Sequence, residues 1–391
     1  MPNSQKICII GSGLTALTIA YLLSKFRLQI DIVEQDLNKK KIKPTRLALS
    51  KHSLDQLFFY GLKDIKKKSN IVKNIYLYDS YSSISLKQDL HFSASNKKEA
   101  LAYIIDGNTL FSDIIKKLKS LKNINIIKKE ISLINDNKFF KEIIFKDLKK
   151  ENYNLIIFAS VHNLLFLSKF KLRKVADKSY NENAYVFNLH HKRIINNSAR
   201  QFFLKDGPLA FLPVSSTETS VIWSIKNNSM NRKYVASKKC LSEFFNNHFK
   251  ELFNEIISIS KINKFNLNYT FNELKDSKRT LLFGEIANKI HPIAGQGWNM
   301  TLRDIFSLIK VIKYSENLGL DIGNDIFIKK YLEETNLNNY TFATLIDGIR
   351  KIFDIKIDSY ATIRKNALSH IDKNLFLKKN FINIANKGLF I

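Results

Sequence analysis

The chain has 391 residues, 45% hydrophobic and 25% charged, a balance that suits a folded protein with a sizeable core and excludes a disordered or fibrous one. Lysine and arginine total 63 against 35 acidic residues, a net charge of +28, yet the excess is almost all lysine in dispersed runs such as Lys39–Lys41 and Lys66–Lys68. Scarce arginine argues against nucleic acid and for a solvated lysine bias or a surface that meets acidic lipid headgroups. The two cysteines, Cys8 and Cys240, have no metal-ligand spacing, so neither a disulfide framework nor a metal site is expected.

Residues 6–34 spell strand, turn, helix, strand: an apolar strand at Lys6–Ile10, a tight turn at Gly11–Gly13, a helix at Leu14–Lys25 and a second strand at Leu28–Glu34. The apolar run Ile7–Ile10 is too short for a secretion signal, and no run approaches the roughly 18 apolar residues of a membrane span. Ala48–Phe59 reads as a helix ending near Gly61, residues 73–93 as strands, and residues 109–120 as a helix. Short paired strands at 124–134 and 138–146 precede Tyr153–Ala159, a strand expected to rejoin the first sheet. Strands at Ala184–His190, Arg200–Leu204, Leu209–Pro213 and Ser220–Ile225 predict an antiparallel sheet. A helix at 240–256 and a strand at 264–273 lead to Thr280–Phe283, where the chain returns to its first domain. Beyond residue 299 it is expected to be helical, with polar loops near 317–325 and 335–339.

Two patterns carry chemistry. The first, Gly11-Ser12-Gly13-Leu14-Thr15-Ala16, falls where a strand ends and a helix begins. Gly11 permits the turn, Gly13 lets a pyrophosphate approach the backbone, Ala16 keeps helix and sheet close, and the helix N-terminus offers N–H groups to phosphate. Glu34, followed by Gln35, closes the second strand where a carboxylate accepts hydrogen bonds from an adenosine ribose. The second pattern runs from Leu281 to Asp304. Gly284-Glu285 ends a strand, Pro292 lies in a loop, and Gly295-Gln296-Gly297 opens a helix through Trp298, Asn299 and Met300. Small residues there allow backbone N–H groups to crowd an anionic ring edge or phosphate.

These segments resemble the FAD-dependent aromatic hydroxylases, and most closely their ubiquinone-biosynthesis branch. His291-Pro-Ile-Ala-Gly-Gln-Gly297 and Asn299 agree with that branch almost residue for residue, and Arg46–Ser50, Gly207–Pro213, Ser220–Trp223 and Arg303-Asp304 follow in family order. The resemblance implies an α/β fold with a Rossmann-like FAD-binding domain of the glutathione-reductase type, from residues 1–72, 95–180 and 272–316. An inserted antiparallel-sheet substrate domain takes residues 73–94 and 181–271, and a C-terminal helical region takes residues 317–391. By the same resemblance Gly11, Ser12, Gly13, Leu14, Thr15, Ala16, Glu34 and Gln35 contact the adenosine and pyrophosphate of FAD. Arg46, Gly284 and Glu285 serve its phosphate and ribityl region, and Pro292, Gly295, Gln296, Gly297, Trp298, Asn299 and Met300 line its isoalloxazine ring. Phe211, Leu212, Pro213 and His291 are expected in the substrate pocket.

The implied activity is hydroxylation of the aromatic ring of a polyprenylated phenol in ubiquinone biosynthesis, with molecular oxygen and NAD(P)H as co-substrates. The chemistry is the flavin's, so no catalytic side chain is expected. A hydrophobic phenol, a quinone-biosynthesis enzyme complex and a peripheral membrane surface are the implied partners. The implied location is cytoplasmic, on the inner face of the membrane; the oligomeric state stays open. One departure bears on the reaction: Phe158-Ala159-Ser160-Val161 stands where the family usually has Gly-Ala-Asp-Gly, so that Ser160-Val161 replaces the Asp-Gly pair, and Asn288 replaces a histidine. Two alternatives therefore remain, an FAD oxidoreductase with a different donor or reaction and a non-catalytic partner protein in a quinone-biosynthetic complex.

Overall fold

The architecture comes from a computed structural model, which describes residues 4–34, 46–81, 83–94, 99–160, 172–274, 278–355 and 357–389. The chain begins with β1 (Gln5–Ile10), α1 (Leu14–Leu23), β2 (Leu28–Val33), β3 (Arg46–Ser50) and α2 (Lys51–Phe59). Next come β4 (Asn70–Val72), β5 (Asn74–Ser80), β6 (Leu90–Ser93), β7 (Ala102–Asp106), α3 (Gly107–Leu118) and β8 (Ile124–Ile127). The meander β9 (Ile131–Asp136), β10 (Lys141–Phe145) and β11 (Lys150–Tyr153) leads into β12 (Leu155–Phe158). Then follow β13 (Leu172–His191), β14 (Ser198–Leu204), β15 (Gly207–Ser215), β16 (Glu218–Lys226), α4 (Arg232–Ala236) and α5 (Lys238–Phe253). After β17 (Ile256–Ile259), β18 (Asn263–Leu274), β19 (Thr280–Leu282) and β20 (Asn288–Lys289) come α6 (Gly297–Asn317), α7 (Asp325–Asp354), α8 (Asp358–Lys373) and α9 (Leu375–Lys387).

The fold is mixed α/β. Five parallel strands in the order β19-β12-β1-β2-β8 form the first sheet. Its central strands are apolar on both faces because helices and the meander cover both sides, so Ile7–Ile10 and Leu155–Phe158 are buried without alternation. A second sheet has the order β20-β18-β13-β16-β15-β14-β5-β6, with β17 on β13. On one of its faces α5 lays Leu241, Phe244, Phe245, Phe249 and Phe253 against Phe187, Phe202, Phe211 and Trp223. Each aromatic ring enclosed this way contributes about 1.5–3 kcal/mol. The C-terminal helices approach this sheet too: Phe203 of β14 stacks on Phe353 of α7, ring centroids 3.5 Å apart, and Arg364 of α8 pairs with Asp79 of β5 at 2.9 Å.

Three expectations are corrected. Residues 46–50 are a strand, antiparallel to β7, and the helix starts only at Lys51, capped by Ser50. Residues 335–339 lie inside α7, where Asn339 bonds Asp304 at 2.7 Å and the Thr335 hydroxyl bonds the carbonyl of Tyr331 at 2.9 Å. Their polarity serves helix packing. Finally, β13 begins at Leu172, well before the expected strand start at Ala184. Among the described residues, no helix is long and apolar enough to cross a membrane.

Candidate functional site

The site assembles at the carboxyl ends of β1 and β12. Gly11 takes φ +134 and donates its N–H to the Val33 carbonyl at 3.0 Å, which turns the chain sharply into α1. A Cβ on Gly11 would lie 3.1 Å from the Cβ of Ser160 and 3.3 Å from the backbone of Ala159, so the turn needs glycine for contact as well as for angle. Around Gly13 there is open space, nothing standing within 4 Å of the position of a Cβ. Gly13 is the N-cap of α1 and no side chain among the described residues caps that end, leaving first-turn N–H groups for an anion.

The second motif meets the first through glycine contacts. Gly284, at φ +74, sits so close to α1 that a Cβ would be 3.0 Å from the hydroxyl of Thr15. Glu285 beside it is exposed, and Glu34 at the end of β2 is partly exposed, so both carboxylates are accessible. The loop before α6 packs on β3: a Cβ on Gly295 would lie 3.3 Å from that of Ala48. Asn299 fastens the same contact, accepting from the Ser50 N–H at 2.9 Å and donating to the Ala48 carbonyl at 2.9 Å. Gln296 Oε1 and Trp298 Nε1 are buried without a partner among the described residues, an acceptor and a donor left unspent in this loop. These features fit a flavin dinucleotide: N–H groups at a helix start for pyrophosphate, carboxylates for hydroxyls, and a glycine loop with spare polar groups for a polar ring edge.

Others of the expected residues make contacts within the protein. Arg46 bonds Asp106 at 3.1 Å and Glu218 at 3.3 Å, tying β3 to β7 and to the large sheet, so its charge is already matched. Met300 turns into an apolar cluster with Phe203, Ile293, Phe342 and Ile346. Asn299 uses both ends of its amide on β3 and acts as a clamp. Leu14 and Ala16 pack into the core of the parallel sheet. Ser12 remains partly exposed. Gln35, Val161 and His162 lie outside the described residues.

In the expected substrate pocket, Phe211 is enclosed by Phe202, Phe245, Phe249 and Phe253 on the α5 face and is a core residue. Pro213 shares its side of β15, whereas Leu212 points to the other by the alternation of a strand. His291 is buried, with Nε2 3.1 Å from Glu182 Oε2 and Nδ1 accepting from the Ile293 N–H at 3.2 Å, so both ring nitrogens are occupied. Glu182 in turn accepts from Arg350. Burial alone would raise the Glu182 carboxyl, but hydrogen bonds from His291 and Arg350 hold it below its ordinary value. The sequence motifs did not reveal Glu182, Arg350, Phe203 or Phe342, whose partners are brought together only by the tertiary fold. The one local signal was the apolar spacing along α7.

The chain has known relatives in sequence and in fold. A model of the squalene epoxidase family matches residues 168–382. A mitochondrial ubiquinone biosynthesis monooxygenase COQ6 from Dictyostelium discoideum is 23% identical over 99% of this chain and 92% of its own length. A ubiquinone hydroxylase UbiL from Rhodospirillum rubrum is 23% identical over 53% of this chain and 48% of its own length. Among solved structures, p-nitrophenol 4-monooxygenase PnpA from Pseudomonas putida superposes with TM-score 0.77 at 13% identity, covering 99% of this chain and 100% of that one. HpxO from Klebsiella pneumoniae, solved with FAD and uric acid, gives 0.69 at 13% identity over 99% and 98%.

Proposed function

Because the chain belongs to the squalene epoxidase family, we propose that it is an FAD-dependent monooxygenase that hydroxylates the aromatic ring of a polyprenylated phenol in ubiquinone biosynthesis. The observation that carries the reading is the contact of Gly284 with Thr15 of α1, beside the open helix start at Gly13, together with the glycine loop that Gly295 and Asn299 pack on β3. In this reading the parallel-sheet unit is a Rossmann-like FAD domain. The start of α1 takes the pyrophosphate, Glu34 the adenosine ribose and Glu285 the ribityl chain. The backbone of Pro292, Gly295, Gln296 and Gly297, with Trp298, faces the ring.

Bound FAD supplies the oxygen-activating chemistry. The net change converts a ring C–H to C–OH: one oxygen atom enters the ring and the other leaves as water, with two electrons and one proton arriving as a hydride from a donor, NAD(P)H in the first instance, and the second proton from the medium. The protein's share is to hold the ring in register and keep water away. Phe203, Ile293 and Phe342 form a buried apolar cluster that backs the loop. A long tail also makes contact with the inner face of a membrane part of the proposal, lysine-rich faces meeting acidic headgroups, and a quinone-biosynthesis complex is the proposed setting. The replacement at Ser160 favours, as a second reading, a donor other than NAD(P)H.

The test is single-turnover reaction of the reduced, FAD-loaded chain with a prenylated phenol under 18O2, followed by mass spectrometry. One 18O atom in the product ring is expected. Consumption of oxygen with release of hydrogen peroxide and an unchanged phenol would overturn the assignment.

A further inference from the structure

The loop that packs on β3 is held at its far end by a residue from another sheet. Along β13 the register with β18 shifts between Ser179 and Glu182, and Asn181 between them takes φ +54. Such a bulge breaks strict alternation and re-aims the side chain that follows. Here it sends Glu182 inward, its side chain 1% exposed, onto His291 and Arg350.

The hydrogen-bond sequence has a direction. His291 caps the turn Pro292–Ala294 by accepting the Ile293 N–H at Nδ1, so the ring proton sits on Nε2 and is donated to Glu182. Beyond the turn, Gly295 takes φ +60 and the chain enters α6 at Gly297. Asn299 fixes that end to β3, which leaves His291 as the anchor of the other end.

We infer that Glu182 is a positioning residue for the loop of residues 292–297: through His291 it fixes the backbone offered to the flavin, and Arg350 of α7 supplies its counter-charge. The inference rests on the proposed flavin site. A carboxylate that served only as half of a buried ion pair would affect stability and leave loop geometry alone.

Single substitutions confuse the two roles, since removing one partner strands a buried charge, whereas replacing both is often neutral for stability. The experiment therefore compares E182M/R350M with E182Q/R350M in the full chain. Both lack the ion pair, and Asp354 keeps its partner Lys226 in each; only the glutamine retains an acceptor for His291 Nε2–H. FAD affinity, titrated by flavin fluorescence, should stay within about threefold of the parent for E182Q/R350M and fall about tenfold for E182M/R350M, the worth of one buried hydrogen bond. Because the methionine also leaves the buried His291 N–H without an acceptor, apo E182M/R350M should melt a few degrees below apo E182Q/R350M, and both are titrated at a temperature where each is folded. If the parent binds FAD and both variants bind it equally well, Glu182 has no positioning role. A parent chain that takes up no FAD overturns the flavin reading itself.

Discussion

At Gly11 the backbone angle and the Cβ contact with Ser160 make the same demand, so Gly11→Ala is strained twice over. The expected cost is about 2 kcal/mol of stability in urea unfolding, together with weaker FAD binding. Asp304 gives a prediction in pH. Burial pushes its carboxyl up to about 7, while the Asn339 hydrogen bond and the Arg303 charge pull the other way. Between roughly pH 4 and 7 the folded chain thus keeps a proton that the unfolded chain releases, and this group's contribution to stability falls as pH rises, by at most about 1.4 kcal/mol per pH unit. Asp304→Asn should flatten that part of the stability-against-pH curve. An unchanged slope would mean that Asp304 is ionised throughout. The role of Gly11 was legible in the sequence because strand, turn and helix are neighbours. The clamp made by Asn299 was not, since Ser50 lies 249 residues away.

At the scale of elements, the connection between α6 and α7 docks on the edge of the parallel sheet. Arg279 donates to the Asn154 carbonyl at 3.1 Å and pairs with Asp321, and Gly323 fits so closely that a Cβ would stand 1.8 Å from that same carbonyl oxygen. Gly323→Ala must push the connection off the sheet. The expected loss is about 3 kcal/mol in urea unfolding, at the upper end of ordinary overpacking, and a variant as stable as the parent would contradict the docking. Most elements were legible from periodicity: β1, α1 and β2 were read within a few residues, as were β14, β15, β16 and β18 of the large sheet, whereas β13 begins twelve residues before the expected Ala184 and β17 and β20 were not foreseen. Residues 46–50 failed because a five-residue strand runs straight into a helix and its partner β7 is more than fifty residues away. Residues 335–339 failed because Thr335 and Asn339 look like loop residues until the buried Asp304 of α6 gives one of them a reason to be polar.

For the whole molecule, the parallel sheet brings the ends of β1 and β12 together, the large sheet supplies Glu182 and Phe203, and the C-terminal helices join the two units. The Ser50 hydroxyl donates to the Asn386 carbonyl of α9 at 3.2 Å, and His91 of β6 donates its N–H to Asp372 of α8 at 2.8 Å. The motifs pointed to the proposed flavin site because dinucleotide binding is written in contiguous glycines. They could not identify the apolar body around Phe203 and Phe342, which exists only once α7 is folded onto the sheet. Everything proposed about the reaction depends on one property of the assembled chain, its capacity to hold FAD. The decisive measurement is the flavin content of the purified protein, by visible absorption near roughly 450 nm and by extraction of the cofactor. The account predicts FAD at about one molecule per chain, retained or taken up on addition. A colourless protein that stays colourless after incubation with FAD would contradict it.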